Sequence, residues 1–255
     1  MKFGICADIA DIEKLAAMGY DYIECNISKL AGLSDEEFDV VKEKALAASI
    51  PVSCYNILFP KTMTVIGSGY DKEATAAYLH KAFSRIKALG GELVVFGSGK
   101  VRNRPAEVDF FSAYRQLVEV TRMTGEIAAE YGVTVVIEPL NRSETNMINS
   151  MGEGAQLTAD VQLPNVKLLT DFFHVAKDGE KVEDVVRIGS FAHVHIAAGQ
   201  GRVYPLPGQD EQYELFFKCL KEIGYDGRVS IEGKTTDMDK DAPIALAYLK
   251  ELAAI

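Results

Sequence analysis

Short, unbroken apolar runs alternate along the whole chain with longer stretches in which apolar positions recur at helical spacing. The short runs fall near residues 3–6, 21–25, 52–55, 93–97, 133–138, 166–171, 192–196 and 228–232. Most are rich in β-branched residues and lack polar alternation, the pattern of strands covered on both faces. Between and after them, residues 9–18, 35–48, 71–89, 105–129, 153–160, 181–188, 210–223 and 241–252 carry helical periodicity. Ser34-Asp-Glu-Glu37 reads as a capping box, and Gly19, Gly90, Gly132 and Gly224 fall where a helix end hands over to the next strand. Eight such units without internal similarity predict an α/β fold, a (β/α)8 TIM barrel forming one domain over residues 1–255. In that fold the strands' C-terminal ends carry the chemistry.

Four of the predicted strands end on side chains that bind metals. Val133 to Ile137 runs into Glu138, followed at once by Pro139. Val166-Lys-Leu-Leu-Thr-Asp171 ends on Asp171, with His174 just beyond. His193 and His195 point to one face of their strand, being two residues apart, and Arg228-Val-Ser-Ile leads into Glu232. A single strand-end carboxylate is as readily half of an ion pair; the recurrence is what points to a site. Three carboxylates and an imidazole form a ligand set suited to Mn²⁺, Co²⁺, Mg²⁺ or Zn²⁺.

The length of 255 residues and an apolar content of 48% suit one large core. No apolar run is long enough to span a bilayer and no leader pattern precedes the first strand, so a cytoplasmic protein without a membrane partner is expected. Cys6, Cys25, Cys54 and Cys219 show no CxxC spacing, which argues against disulfides and cysteine–zinc sites. Lys and Arg number 27 against 37 Asp and Glu, and the net charge of −10 repels a phosphate backbone; nucleic acid is not expected as a partner.

Two loops on the expected active face stand out. The segment 56–70 is long for a strand-to-helix connection, and its apolar residues beside Gly67-Ser-Gly69 suit either a water-excluding lid or a disordered surface loop. Gly97-Ser-Gly-Lys-Val-Arg-Asn-Arg104 is glycine-rich and basic, a turn that suits an anionic or polyhydroxylated ligand or simply solvent.

Together these residues resemble the xylose isomerase-like TIM barrels, a family that includes sugar-phosphate isomerases and epimerases, ketose 3-epimerases and, more distantly, endonuclease IV. Ile137-Glu-Pro-Leu-Asn-Arg-Ser-Glu144 is similar to the family's ligand glutamate and a following substrate-contacting glutamate. Asp171 with His174 resembles its ligand aspartate and substrate-binding histidine, His193-Val-His195 its paired-histidine strand, and Glu232 its last ligand. Gly97-Ser-Gly99, Arg102 and Pro105 match a turn common among its sugar isomerase-like members. The chain departs from the epimerase pattern after the ligand histidine, where Ala197 and Ala198 replace an acidic neighbourhood and Arg202 lies slightly farther along.

The resemblance implies one divalent ion, with Mn²⁺ foremost, held by Glu138, Asp171, His195 and Glu232. It implies a sugar or sugar phosphate as substrate, oriented by Glu144, His174 and Arg202, and it leaves a homo-oligomer open. With the ion acidifying a C–H beside a carbonyl, Glu138 and Glu232 suit acid and base work on the two faces of an enediolate. Proton return on the opposite face is epimerisation; return to the neighbouring carbon is isomerisation. Alternatives on the same scaffold are a lyase, such as a keto-inositol dehydratase or a carbon-glycoside cleaving subunit, and a non-catalytic sugar-binding barrel. An endonuclease IV-type nuclease fits poorly, because the chain has only 4 His and the wrong charge for DNA. His193 is expected to support the ligands from behind, and His80 to lie on the surface far from this face.

Overall fold

The computed structural model describes residues 1–209 and 211–255. Eight strands, β1 (Lys2–Cys6), β2 (Tyr22–Asn26), β3 (Val52–Asn56), β4 (Leu93–Phe96), β5 (Thr134–Ile137), β6 (Val166–Asp171), β7 (His193–Ile196) and β8 (Arg228–Ile231), close into a barrel in sequence order. Every pairing is parallel, and β8 returns to β1 with Phe3 opposite Val229 and Ile5 opposite Ile231. The helices are α1 (Ile12–Ala17), α2 (Ile27–Gly32), α3 (Asp35–Leu46), α4 (Lys72–Ala88), α5 (Phe110–Glu130), α6 (Met151–Val161), α7 (Phe172–Asp178), α8 (Asp184–Ile188), α9 (Tyr213–Glu222) and α10 (Met238–Ala254). Among the described residues no helix is long and apolar enough to cross a membrane.

Because side chains alternate along a strand, each strand supplies two sets of residues. Val135, Ile137, Val194, Ile196, Val229 and Ile231 belong to the large core beneath the helices. The other set fills the barrel lumen, where Tyr22, Cys54, Leu93, Val95, Val136 and Leu169 form a separate apolar cluster. One step of two residues toward the C-terminal end, this inner parity passes from Tyr22 to Glu24, from Cys54 to Asn56, from Val136 to Glu138 and from Leu169 to Asp171. The lumen therefore changes from apolar to charged at the mouth.

All eight expected strands form. The capping box at Ser34 forms with Glu37 reaching back to the Ser34 N–H, and Gly19, Gly90, Gly132 and Gly224 all adopt positive φ. The helix expected from Pro105 begins only at Phe110, because Asp109 caps it by accepting from the Ser112 N–H. The one expected from Lys181 begins at Asp184, the one from 9 opens with a 3-10 turn over Ile9–Asp11, and the last starts at Met238, capped by Asp237. Asp210, the expected start of the helix before β8, lies outside the described residues. Two short helices were not expected, α2 and α7, each following its strand directly.

The segment 56–70 is ordered against the barrel and is not a disordered loop. Leu58, Phe59, Val65 and Ile66 are buried, and Phe59 stacks edge-on against Phe96 with centroids 5.1 Å apart. The Leu58 N–H donates to Val95 O at 3.3 Å and the Val65 N–H to Val101 O at 3.0 Å. The segment forms one wall of the barrel mouth. All four cysteines are free.

Candidate active site

The C-terminal mouth brings together side chains from the ends of six strands and the loops above them. Oxygens of Glu138, Asp171 and Glu232 and a nitrogen of His195 all lie within 4.8 Å of one another. His195 Nδ1 is 3.3 Å from Glu138 Oε1 and 3.3 Å from Glu232 Oε2. Two carboxylates facing one ring nitrogen suit a positive charge between them, a proton on Nδ1 or a metal ion. Asp171 makes the same demand: its Oδ1 caps α7 through the Phe173 N–H at 2.9 Å, while its buried Oδ2 has no hydrogen-bond partner. The donors fit a divalent cation.

The electrostatics follow from this crowding. Burial pushes Asp171 up to about 7, and burial, reinforced by the charge of Glu232, raises Glu138. Burial also acts against ionised Glu232, but His195 and Arg202 outweigh it and hold that carboxyl at about 2. Burial disfavours the charged ring of His195, yet Glu24 and Glu232 raise it well above the ordinary imidazole range.

Glu138 owes its position to residues whose role sequence reading misjudged. The basic turn after β4 does not offer Arg102 to a ligand or to solvent. Arg102 is buried and donates to Phe96 O at 3.1 Å, Glu138 O at 2.7 Å and Ile148 O at 3.4 Å, tying the end of β5 to the neighbouring loops. Gly97 is required here: a Cβ on it would sit 2.1 Å from Glu138 Oε2.

His174 lies in the first turn of α7, not in a loop as its position past the strand suggested. Its Nδ1 accepts from the Asn141 N–H at 3.1 Å, so its proton sits on Nε2. That nitrogen points to Asp171 Oδ2 at 3.5 Å and Glu138 Oε1 at 3.7 Å. Burial lowers the ring to about 3, so it stays a neutral N–H donor. Glu144 accepts from Asn141 Nδ2 at 3.0 Å.

Arg202 reaches the centre despite its later position in the chain. The Ala198 N–H closes on Val203 O at 2.9 Å and the Lys234 N–H on Arg202 O at 2.7 Å, and Arg202 takes a positive φ of 51°. Its guanidinium then lies 4.6 Å from the Phe173 ring centroid. It pairs with Glu232 and contacts Glu144 Oε1 at 3.3 Å and Asp171 Oδ2 at 3.6 Å. The expected site residues thus share one cluster, beside a cavity of about 560 Å³ whose walls include Ile57, Phe59, Lys100 and Glu144.

Two polar residues escaped the sequence reading. Asn56, the last residue of β3, donates to Glu232 Oε1 at 3.0 Å. Glu24 on β2 is wholly buried and meets both strand histidines: His195 Nε2 at Oε1 and His193 Nε2 at Oε2, each at 2.8 Å. A charged residue inside the otherwise buried run Tyr22-Ile-Glu-Cys-Asn26 was the available signal. His193 lies beside His195 on β7, with ring centroids 4.9 Å apart, and holds Glu24 from the other side. His80 is exposed, and its Nδ1 lies 3.1 Å from the Tyr131 hydroxyl.

Residues 12–252 match the family model described as xylose isomerase-like TIM barrel. The D-psicose 3-epimerase of Agrobacterium fabrum is 27% identical over 233 residues, covering 87% of this chain and 77% of the relative. The L-ribulose 3-epimerase of a Methylomonas species is 26% identical over 237 residues, covering 88% and 77%. Among solved structures, a D-psicose 3-epimerase crystallised in the presence of D-fructose superposes with a TM-score of 0.86 at 24% identity over the full length of both chains.

Proposed function

The chain belongs to the xylose isomerase-like TIM barrel family, and on that premise we propose that it is a metal-dependent sugar epimerase or isomerase moving a proton at a carbon beside a carbonyl. The relatives it matches over most of its length are sugar epimerases, which makes it an isomerase-class enzyme. The observation that carries the mechanistic reading is the convergence of Glu138, Asp171, His195 and Glu232 within 4.8 Å at the barrel mouth. In this reading those four hold one divalent ion, with Mn²⁺ first because three carboxylates and one imidazole suit it, and Co²⁺, Mg²⁺ and Zn²⁺ as alternatives. The ion would polarise the substrate carbonyl and acidify the adjacent C–H.

The remaining steps belong to the chain's own residues. Glu138 and Glu232, delivered by β5 and β8, approach the reacting carbon from different sides as acid and base. His174 donates its Nε2–H to a substrate oxygen without bringing a charge. Arg202 and Glu144, which contact each other, hold hydroxyls or an anionic end, fixing which face of the carbon meets which glutamate. Ile57 and buried Phe59 give the adjoining cavity an apolar side. Removal on one face and return on the other is epimerisation, the reaction for which the matched relatives are named.

The test is proton exchange at carbon. Incubating the metal-loaded protein with a panel of ketoses and ketose phosphates in D₂O should give deuterium uptake at the carbon beside the carbonyl for one of them, with the epimer or aldose appearing alongside. Binding of a sugar without exchange or turnover for any member would replace this reading with that of a sugar-binding barrel.

A further inference from the structure

One buried carboxylate at the mouth has no part in the proposed reaction. Glu24 is completely shielded from solvent, and it lies 171 residues from His195 in sequence. An ionised carboxylate only accepts hydrogen bonds, so each of its two 2.8 Å contacts requires an N–H on the facing ring. His195 must therefore carry a proton on Nε2. Its other nitrogen, Nδ1, is the one turned toward Glu138 and Glu232, 3.3 Å from each. The second contact closes the arrangement from behind. His193 holds Glu24 Oε2, its Nε2 also lies 3.4 Å from Ser230 Oγ, and Ser230 Oγ meets the Tyr22 hydroxyl at 2.8 Å. All of these side chains are buried, so no water competes for the carboxylate.

We propose that Glu24 is the positioning residue of the metal centre: by taking the Nε2–H of His195 it presents Nδ1 as the ligand, and His193 keeps Glu24 from turning away. The proposal rests on His195 being a metal ligand. A histidine ligand whose far N–H sits on a carboxylate is fixed in tautomer and ring angle and is a stronger donor, and such partners are typically worth 10- to 100-fold in metal affinity. If Glu24 served only to neutralise charge in the lumen, its loss would lower stability alone and leave the affinity of the folded protein unchanged.

The experiment uses zinc alone as the probe, with no sugar. Chelator competition gives the zinc Kd of the wild type and of Glu24→Gln, and long-range ¹H–¹⁵N spectra of histidine-labelled protein give the tautomer of each ring. In the zinc-loaded wild type, His195 should be protonated at Nε2 and bare at Nδ1. Glu24→Gln replaces one acceptor with a donor, so one of the two strand histidines must change tautomer, and the zinc Kd should rise roughly 10- to 100-fold. An Nδ1–H on zinc-loaded His195, no zinc binding by the wild type, or a variant Kd within about twofold of the wild type overturns the proposal. If the variant does not fold, the wild-type spectrum decides. Failure of every sugar to exchange a carbon-bound proton would sink the isomerase reading and leave this inference intact.

Discussion

Asn56 donates its side-chain amide to Glu232 Oε1 at 3.0 Å, and Glu138 has no such partner from β3. The two glutamates are thus unequal. His195 and Arg202 outweigh burial and lower Glu232, whereas burial raises Glu138. Replacing either with Gln keeps an oxygen for the metal and removes the proton carrier. Each variant is expected to lose turnover by a factor on the order of 10² or more. For an epimerase, one of them should still exchange the proton at the carbon it faces, as read by NMR in D₂O. Near wild-type turnover in both variants would remove the proton-transfer role.

Asp171 offers the centre a buried Oδ2 that accepts no hydrogen bond. Asp171→Ala removes a ligand and leaves Glu138 and Glu232 facing His195 with less to bind. Elemental analysis after dialysis should find the variant largely metal-free, with an affinity loss of roughly 100-fold or more, exceeding that for a supporting partner. Full loading would take Asp171 out of the ligand set.

Glu144 accepts from Asn141 and Arg202 at the edge of the cavity, away from the four converging donors. Glu144→Gln should keep metal stoichiometry while kcat/KM on an identified sugar falls by about 1 to 3 kcal/mol of transition-state stabilisation. Unchanged kcat/KM would show that Glu144 makes no substrate contact.

Glu180 gives a pH dependence that belongs to the fold. Its carboxyl accepts from the Met151 N–H at the start of α6, but burial pushes it up to about 7. The folded value then lies above the unfolded one of about 4.3, so the native state binds the extra proton between the two. Stability from this group is full below about 4.3, falls as the pH rises to about 7, and is flat above. Glu180→Gln keeps an acceptor for Met151 without titrating. Urea midpoints of wild type minus variant should fall across that window, and a constant difference from pH 4 to 8 would exclude Glu180 as the source.

The sequence by itself determined what is local. Strand length, β-branching and the helix caps fixed eight βα units, because a buried run and a capped turn are satisfied by neighbours within a few residues. The ends of β5, β6, β7 and β8 located Glu138, Asp171, His195 and Glu232, since a charged side chain closing a buried strand must emerge at the barrel's mouth. Only the tertiary structure decided which charges meet. Glu24 sits on β2 and His195 on β7, and nothing in either strand reveals the other; barrel closure and register place them in one layer of the lumen. The same holds for Arg102: its turn suits a ligand or solvent by sequence, and in the fold three backbone carbonyls close around its guanidinium. It holds too for Arg202, whose reach depends on a positive φ and on the return of its loop along Lys234. Periodicity reports which face of an element a residue occupies. The partner across the lumen is set by strand order and stagger, which depend on the packing of the whole barrel.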